Sequence, residues 1–126
     1  MQVKVYAQVG LRPRRSELSD ALHRAAVRAV GLPEDKRFHR FLWFEPEDFL
    51  APPGRTAAYV VVEVLLFEGR SVDAKKRYYA ALVEEFAALG IGADDLEVTL
   101  VETPRHDWLI RGVPGDELAL AYRVEA

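Results

Sequence analysis

The chain has 126 residues, half of them hydrophobic and 29% charged, which fits one globular domain and excludes a low-complexity or disordered chain. Its formal net charge of -3 offers no basic field to a nucleic acid, and no apolar run approaches the length needed to cross a membrane. Cysteine is absent, which removes disulfide scaffolds, thiol nucleophiles and thiolate metal sites, so a soluble cytoplasmic protein with neither nucleic-acid nor membrane partners is expected.

Val3, Val5 and Ala7 alternate with Gln2, Lys4, Tyr6 and Gln8, the period-two pattern of a strand over 2–9 that closes at Gly10. From Pro13, Leu18, Ala21, Leu22, Ala25, Ala26, Ala29 and Val30 recur at helical spacing, and Gly31 and Pro33 stop the run. Residues 37–44 are rich in aromatic and branched types and predict a second strand, followed by a loop over 45–56 with three prolines and Gly54. The order then repeats. Residues 58–67 form a nearly unbroken apolar run suited to a strand covered on both faces. Ser71 is a good N-cap for a helix whose core stripe is read as Val72, Tyr79, Leu82, Phe86 and Leu89, ending at Gly90. A fourth strand follows over 96–101. The last stretch, 108–122, carries Gly112, Pro114 and Gly115 and predicts a hairpin or arm.

Each half reads as strand, helix ending at glycine, acidic turn, strand. The expected architecture is therefore α/β (α+β): duplicated β-α-β units, about 1–45 and 57–102, forming a mixed four-stranded sheet, with a C-terminal arm over 103–126. Periodicity leaves two placements of these strands open, a ferredoxin-like one and a tautomerase-like one.

His23, His39 and His106 lack metal-ligand spacing, and Ser16, Ser19 and Ser71 lie in no nucleophile-elbow motif. Arg12, Arg14, Arg15, Arg24 and Arg28 are interleaved with Glu17 and Asp20, as on a solvated helix face. Glu63 is the single charge inside an apolar strand and is expected to meet a cation, because an unpaired carboxylate is costly to bury.

Local sequence favours one placement. The run Phe67-Glu68-Gly69-Arg70-Ser71-Val72-Asp73-Ala74-Lys75 resembles the start of the second helix in the tautomerase superfamily. Residues 19–23 with 31–38 resemble that family's first helix and following turn. Leu100-Val101-Glu102 with Asp107-Trp108 resembles a segment of its longer members, the malonate semialdehyde decarboxylase and cis-3-chloroacrylic acid dehalogenase groups. The resemblance implies two helices on one face of the sheet and a homotrimer. It also implies sites near the amino termini that act on small 2-oxo acids or unsaturated carboxylates without metal or organic cofactor. Family members use an amino-terminal proline as general base or acid and arginines for the substrate carboxylate. By that resemblance Arg70 and Arg37 are the candidate carboxylate-binding residues and Trp108 a candidate pocket wall.

Three departures stand out. Position 2 is Gln, too large for ordinary methionine removal, so Met1 is expected to be retained and its α-amine to take the place of the proline. An ordinary α-amine titrates at about 7.7–8.0, so slight desolvation would leave it partly neutral and able to accept a proton. Leu66, Phe67 and Glu68 occupy the positions of a second basic residue, and Lys36 stands where the decarboxylases carry an acid, so acid-dependent hydration or decarboxylation is not expected. The readings carried forward are a weak or altered tautomerase-type enzyme, a non-catalytic trimer that binds a small acid or a protein, and a ferredoxin-like dimeric small-molecule module.

Overall fold

In the computed structural model, which describes residues 1–120, the first alternation becomes β1 (Gln2–Gln8), with Val3, Val5 and Ala7 buried. The end of the expected arm, 121–126, lies outside the described residues. A 3-10 turn over Val9–Arg14 takes in Pro13, so α1 begins two residues later, at Arg15, and runs to Val30. Leu18, Ala21, Leu22, Ala25, Ala26 and Val30 face the core as their spacing requires. β2 is His39–Phe44, β3 is Val60–Phe67, α2 is Val72–Ala88 and β4 is Leu96–Thr103.

The inner stripe of α2 differs from expectation. Ala74, Tyr78, Ala81, Leu82 and Phe86 are buried, whereas Val72 and Tyr79 are 63% and 37% exposed. Tyr78 lies four residues before Leu82 and eight before Phe86, along one row of the helix, while its neighbour Tyr79 is turned away by about 100°. Two adjacent tyrosines competed for one row, and the one in line with both anchors took it.

Strand order is β2-β1-β3-β4, with β1 parallel to β2, β3 parallel to β4, and the central pair β1 and β3 antiparallel. Each helix thus joins strands lying side by side, whereas a split β-α-β arrangement inserts a strand between them; the ferredoxin-like alternative is excluded. α1 and α2 pack against each other and close one side of the sheet over Val3, Val5, Val62, Val64, Leu22, Leu82 and Phe86. The opposite face carries Leu42, Val61, Leu65 and Val101, partly exposed, around Lys4, Arg40, Glu63 and Thr99. Glu63 accepts a hydrogen bond from the Tyr6 hydroxyl, and Lys4 stands opposite it in the register.

This register collects particular chain segments at one end of the sheet. Gln2 pairs with Leu65, the Val3 amide donates to the Phe38 carbonyl at 2.9 Å, and Phe67 pairs with Thr103. The starts of β1 and β2 therefore meet the ends of β3 and β4. From Thr103 the chain folds back through a 3-10 turn at Arg105–Asp107 into a short hairpin, β5 (Leu109–Ile110) and β6 (Val113–Pro114). The Gly115 amide donates to the Trp108 carbonyl at 2.8 Å, and the Arg105 guanidinium donates to the carbonyls of Gly115 at 3.0 Å and Leu118 at 2.7 Å.

Gly115 permits that closure, since a Cβ there would stand 2.2 Å from the Arg105 carbonyl oxygen, a backbone atom that cannot swing aside. Gly115→Ala should lower unfolding free energy by about 1–3 kcal/mol, the usual cost of overpacking. Gly10→Ala, with nothing within 4 Å, is the control and should change it by no more than about 0.5 kcal/mol. Urea unfolding curves compare the two.

Candidate active site

Gly69 has φ 129°, a conformation that favours glycine, and it turns the chain from the end of β3 into α2. Ser71 then caps the helix, its Oγ accepting from the Ala74 amide at 3.1 Å. Between them Arg70 is held 8% exposed, a guanidinium almost removed from water. The Met1 amine lies within its field: burial first, and then the Arg70 charge, lower the amine from 8.0 to about 6. The same guanidinium acts on Tyr78, whose hydroxyl is buried without a hydrogen-bond partner among the described residues. Burial raises that phenol well above its ordinary range, so it stays protonated at neutral pH.

Met1 opens onto a cleft of about 250 Å³ lined by Lys36, Phe38, Phe67, Ile110, Arg111 and Leu118 to Leu120. Its walls are mostly apolar, and among the described lining residues there is no carboxylate. Phe67 is one of the lining residues, with the Trp108 ring edge-on at 5.1 Å between centroids and the Arg105 guanidinium 5.5 Å from its ring. Trp108 also donates from Nε1 to the Thr103 hydroxyl. It thus packs on the Phe67 ring and is not itself among the lining residues. Arg111 has φ 51°, and with Gly112 at φ 78° it forms a two-residue hairpin turn with both central residues in the left-handed region. For a residue with a Cβ that conformation costs roughly 1–2 kcal/mol.

The structure brings Met1 and Arg70 together, sets Trp108 against the Phe67 ring, and places Arg37 elsewhere in the subunit. Arg37 Nη1 pairs with Asp20 Oδ1 at 2.6 Å and reaches Ser19 Oγ at 3.4 Å. It lines two troughs against α1, one of about 320 Å³ with Ser19 and His39 and one of about 500 Å³ with His23, Arg24, Arg28 and Glu85. The larger trough exceeds the Met1 cleft, but two of its arginines are already engaged: Arg24 pairs with Glu85 at 2.8 Å and Arg28 with Glu84 at 3.6 Å. Ser19 Oγ and His39 Nδ1 share a hydrogen bond of 2.8 Å, and burial together with Arg37 and His23 lowers His39 to about 4. Asp20, which could orient such a pair, is bonded to Arg37. Among the described residues no group of three or more His, Asp or Glu is placed to hold a metal ion, and no helix is long and apolar enough to cross a membrane.

Sequence reading missed Lys36, Phe38, Ile110 and Arg111 as cleft residues and Tyr78 as a neighbour of Arg70. The Arg111-Gly112 pair within a stretch expected to form a hairpin was the one signal pointing to this wall.

Residues 36–111 match the family described as "Tautomerase enzyme". A malonate semialdehyde decarboxylase solved in wild-type, mutant and inactivated forms is 28% identical, with TM-score 0.84 over 94% of this chain and 100% of that one. Another malonate semialdehyde decarboxylase, inhibited by 3-bromopropiolate, is 27% identical, with TM-score 0.84 over 95% of this chain and 99% of that one. A fused 4-OT solved as a symmetric trimer is 25% identical, with TM-score 0.78 over 92% and 97%. The family match spans Arg37, Arg70 and Trp108 and stops short of Met1, so it is independent of the missing proline. With that match, the side-by-side β-α-β halves and the site at the sheet end, the chain belongs to the tautomerase superfamily.

Proposed function

We propose that the protein is an altered tautomerase that moves a proton on a small 2-oxo acid or unsaturated carboxylate, with the Met1 α-amine as the base. The observation that carries this reading is an amine lowered to about 6 at the mouth of an apolar cleft. At pH 7 such an amine is mostly neutral and can take a proton. Its conjugate acid is strong enough to give the proton back, so one group can remove the enol hydroxyl proton and deliver a proton to carbon. Arg70 supports this role by disfavouring the ammonium form. Arg37 and Trp108 belong to the reading as a residue offered to a neighbouring subunit and as a brace for the cleft. The partly apolar face of the sheet, with Leu42 and Val101 near 40% exposed, supports a homotrimer like that of the fused 4-OT.

The decisive experiment is ketonisation of enol-phenylpyruvate, with mass spectrometry of the amino terminus. Turnover is expected with Met1 intact, and acetylation of its amine should abolish it. Absence of turnover, with none gained in Gln2→Pro, would remove the enzyme reading and leave a non-catalytic trimer that binds a small acid.

The base must be neutral to act, and a depressed pKa means it becomes neutral early. Accordingly kcat/KM should rise with pH through about 6 and level off above it, and should not wait for the 8.0 of an ordinary α-amine. Arg70→Gln removes the cationic neighbour and should move the rise upward, by only part of the way to 8.0, since burial is the larger cause. An NMR titration of the amine checks both values independently of turnover. Static light scattering should give three times the mass of one chain.

A further inference from the structure

The cleft needs a cation for a carboxylate, and the amine at its mouth does not supply one at neutral pH. Arg70 is buried and does not line the cleft, whereas Lys36 and Arg111 do. Neither the Lys36 ammonium nor the Arg111 guanidinium has a side-chain hydrogen bond or ion pair among the described residues. Two cations on the rim of one apolar cleft without an acid among its described lining residues repel each other, an arrangement relieved by an anion between them. Arg111 adds a second observation. It is the single non-glycine residue with positive φ among the described residues, at a turn position where glycine or asparagine would be unstrained. Backbone strain of this kind persists where the surroundings hold it, and such outliers gather at ligand sites.

We propose that Lys36 and Arg111 form the carboxylate clamp of this protein, which selects a small acid whose apolar body lies on Phe67 and Phe38. A volume of about 250 Å³ suits such a ligand, being below the drug-sized range of about 300–1,000 Å³. The assignment rests on the preceding section only in taking the Met1 cleft as the binding site. In effect, the hairpin turn supplies the second basic residue that the positions Leu66, Phe67 and Glu68 lack.

The test uses calorimetric titration of the full-length protein with 3-phenylpropionate and with its uncharged isostere 3-phenylpropionamide, neither of which can be turned over. Wild type should bind the acid about tenfold more tightly than the amide, as expected for a charge-assisted contact of modest exposure. Arg111→Gly removes the charge and suits the turn, so the fold should be retained. It and Lys36→Gln should each reduce the preference for the acid severalfold, and the double variant should abolish it without changing affinity for the amide. Binding of neither ligand, equal binding of both by wild type, or a preference that survives in the double variant overturns the clamp. Loss of the preference in Arg70→Gln alone, with the double variant unaffected, overturns it as well and places the carboxylate at Arg70. A preference that behaves as expected in a protein that cannot ketonise enol-phenylpyruvate supports the clamp and rejects only the catalytic reading.

Discussion

A buried guanidinium and an α-amine share one end of the sheet, and two cations there would be expensive. The guanidinium cannot give up its proton in any practical pH range, so its charge adds to burial in disfavouring the ammonium form of the amine. Burial is the larger cause and Arg70 the smaller in lowering this terminus from 8.0 to about 6, and the smaller one depends on how Arg70 is held. Gly69 supplies the turn that brings it back under the sheet, and the Ser71 cap anchors the helix that follows. Tyr78, protonated and buried from the α2 side, adds no further charge to the site. Burial and a neighbouring cation act here on a primary amine.

The location itself follows from strand order. β1 is central and runs antiparallel to β3, so the amino terminus comes to lie where β3 ends and α2 begins. β2 is parallel to β1, which carries Lys36 and Phe38 to the same end, and β4 is parallel to β3, which sends residues after Thr103 across it. One topological choice therefore gathers three separated segments around Met1. The C-terminal segment is then fixed over them by backbone contacts at Gly115 and by the Arg105 guanidinium, which holds two carbonyls while covering the Phe67 ring.

The elements were legible because their signals are local: alternation in β1, glycine stops after both helices, and the Ser71 cap. The strand placement was not readable from period alone, since it depends on which edges pair, and a family resemblance spread over residues 19–38, 67–75 and 100–108 decided it. The α2 stripe was right at Leu82 and Phe86 and wrong at its start, where the four-residue spacing from those two anchors selects Tyr78 over the adjacent and chemically identical Tyr79. Met1 and Arg70 were visible as candidates, but their mutual electrostatics depend on burial, which no spacing rule reports. Lys36 and Arg111 stand far apart in the chain, and each alone looks like a surface cation. That both line one cleft is a product of the register of β1 with β2 and of a hairpin whose strands are two residues long.

The charges in the cleft also bear on the chemistry. Hydration or decarboxylation assisted by an acid needs a carboxyl group within reach of the substrate, and none lines the described cleft. Glu102, on the strand next to β3, is paired with Lys75. For the proposed proton transfer between oxygen and carbon no water has to be activated and no bond to a departing group has to be broken, so that reading asks only for the Met1 amine and a cleft whose other described lining is apolar apart from Lys36 and Arg111.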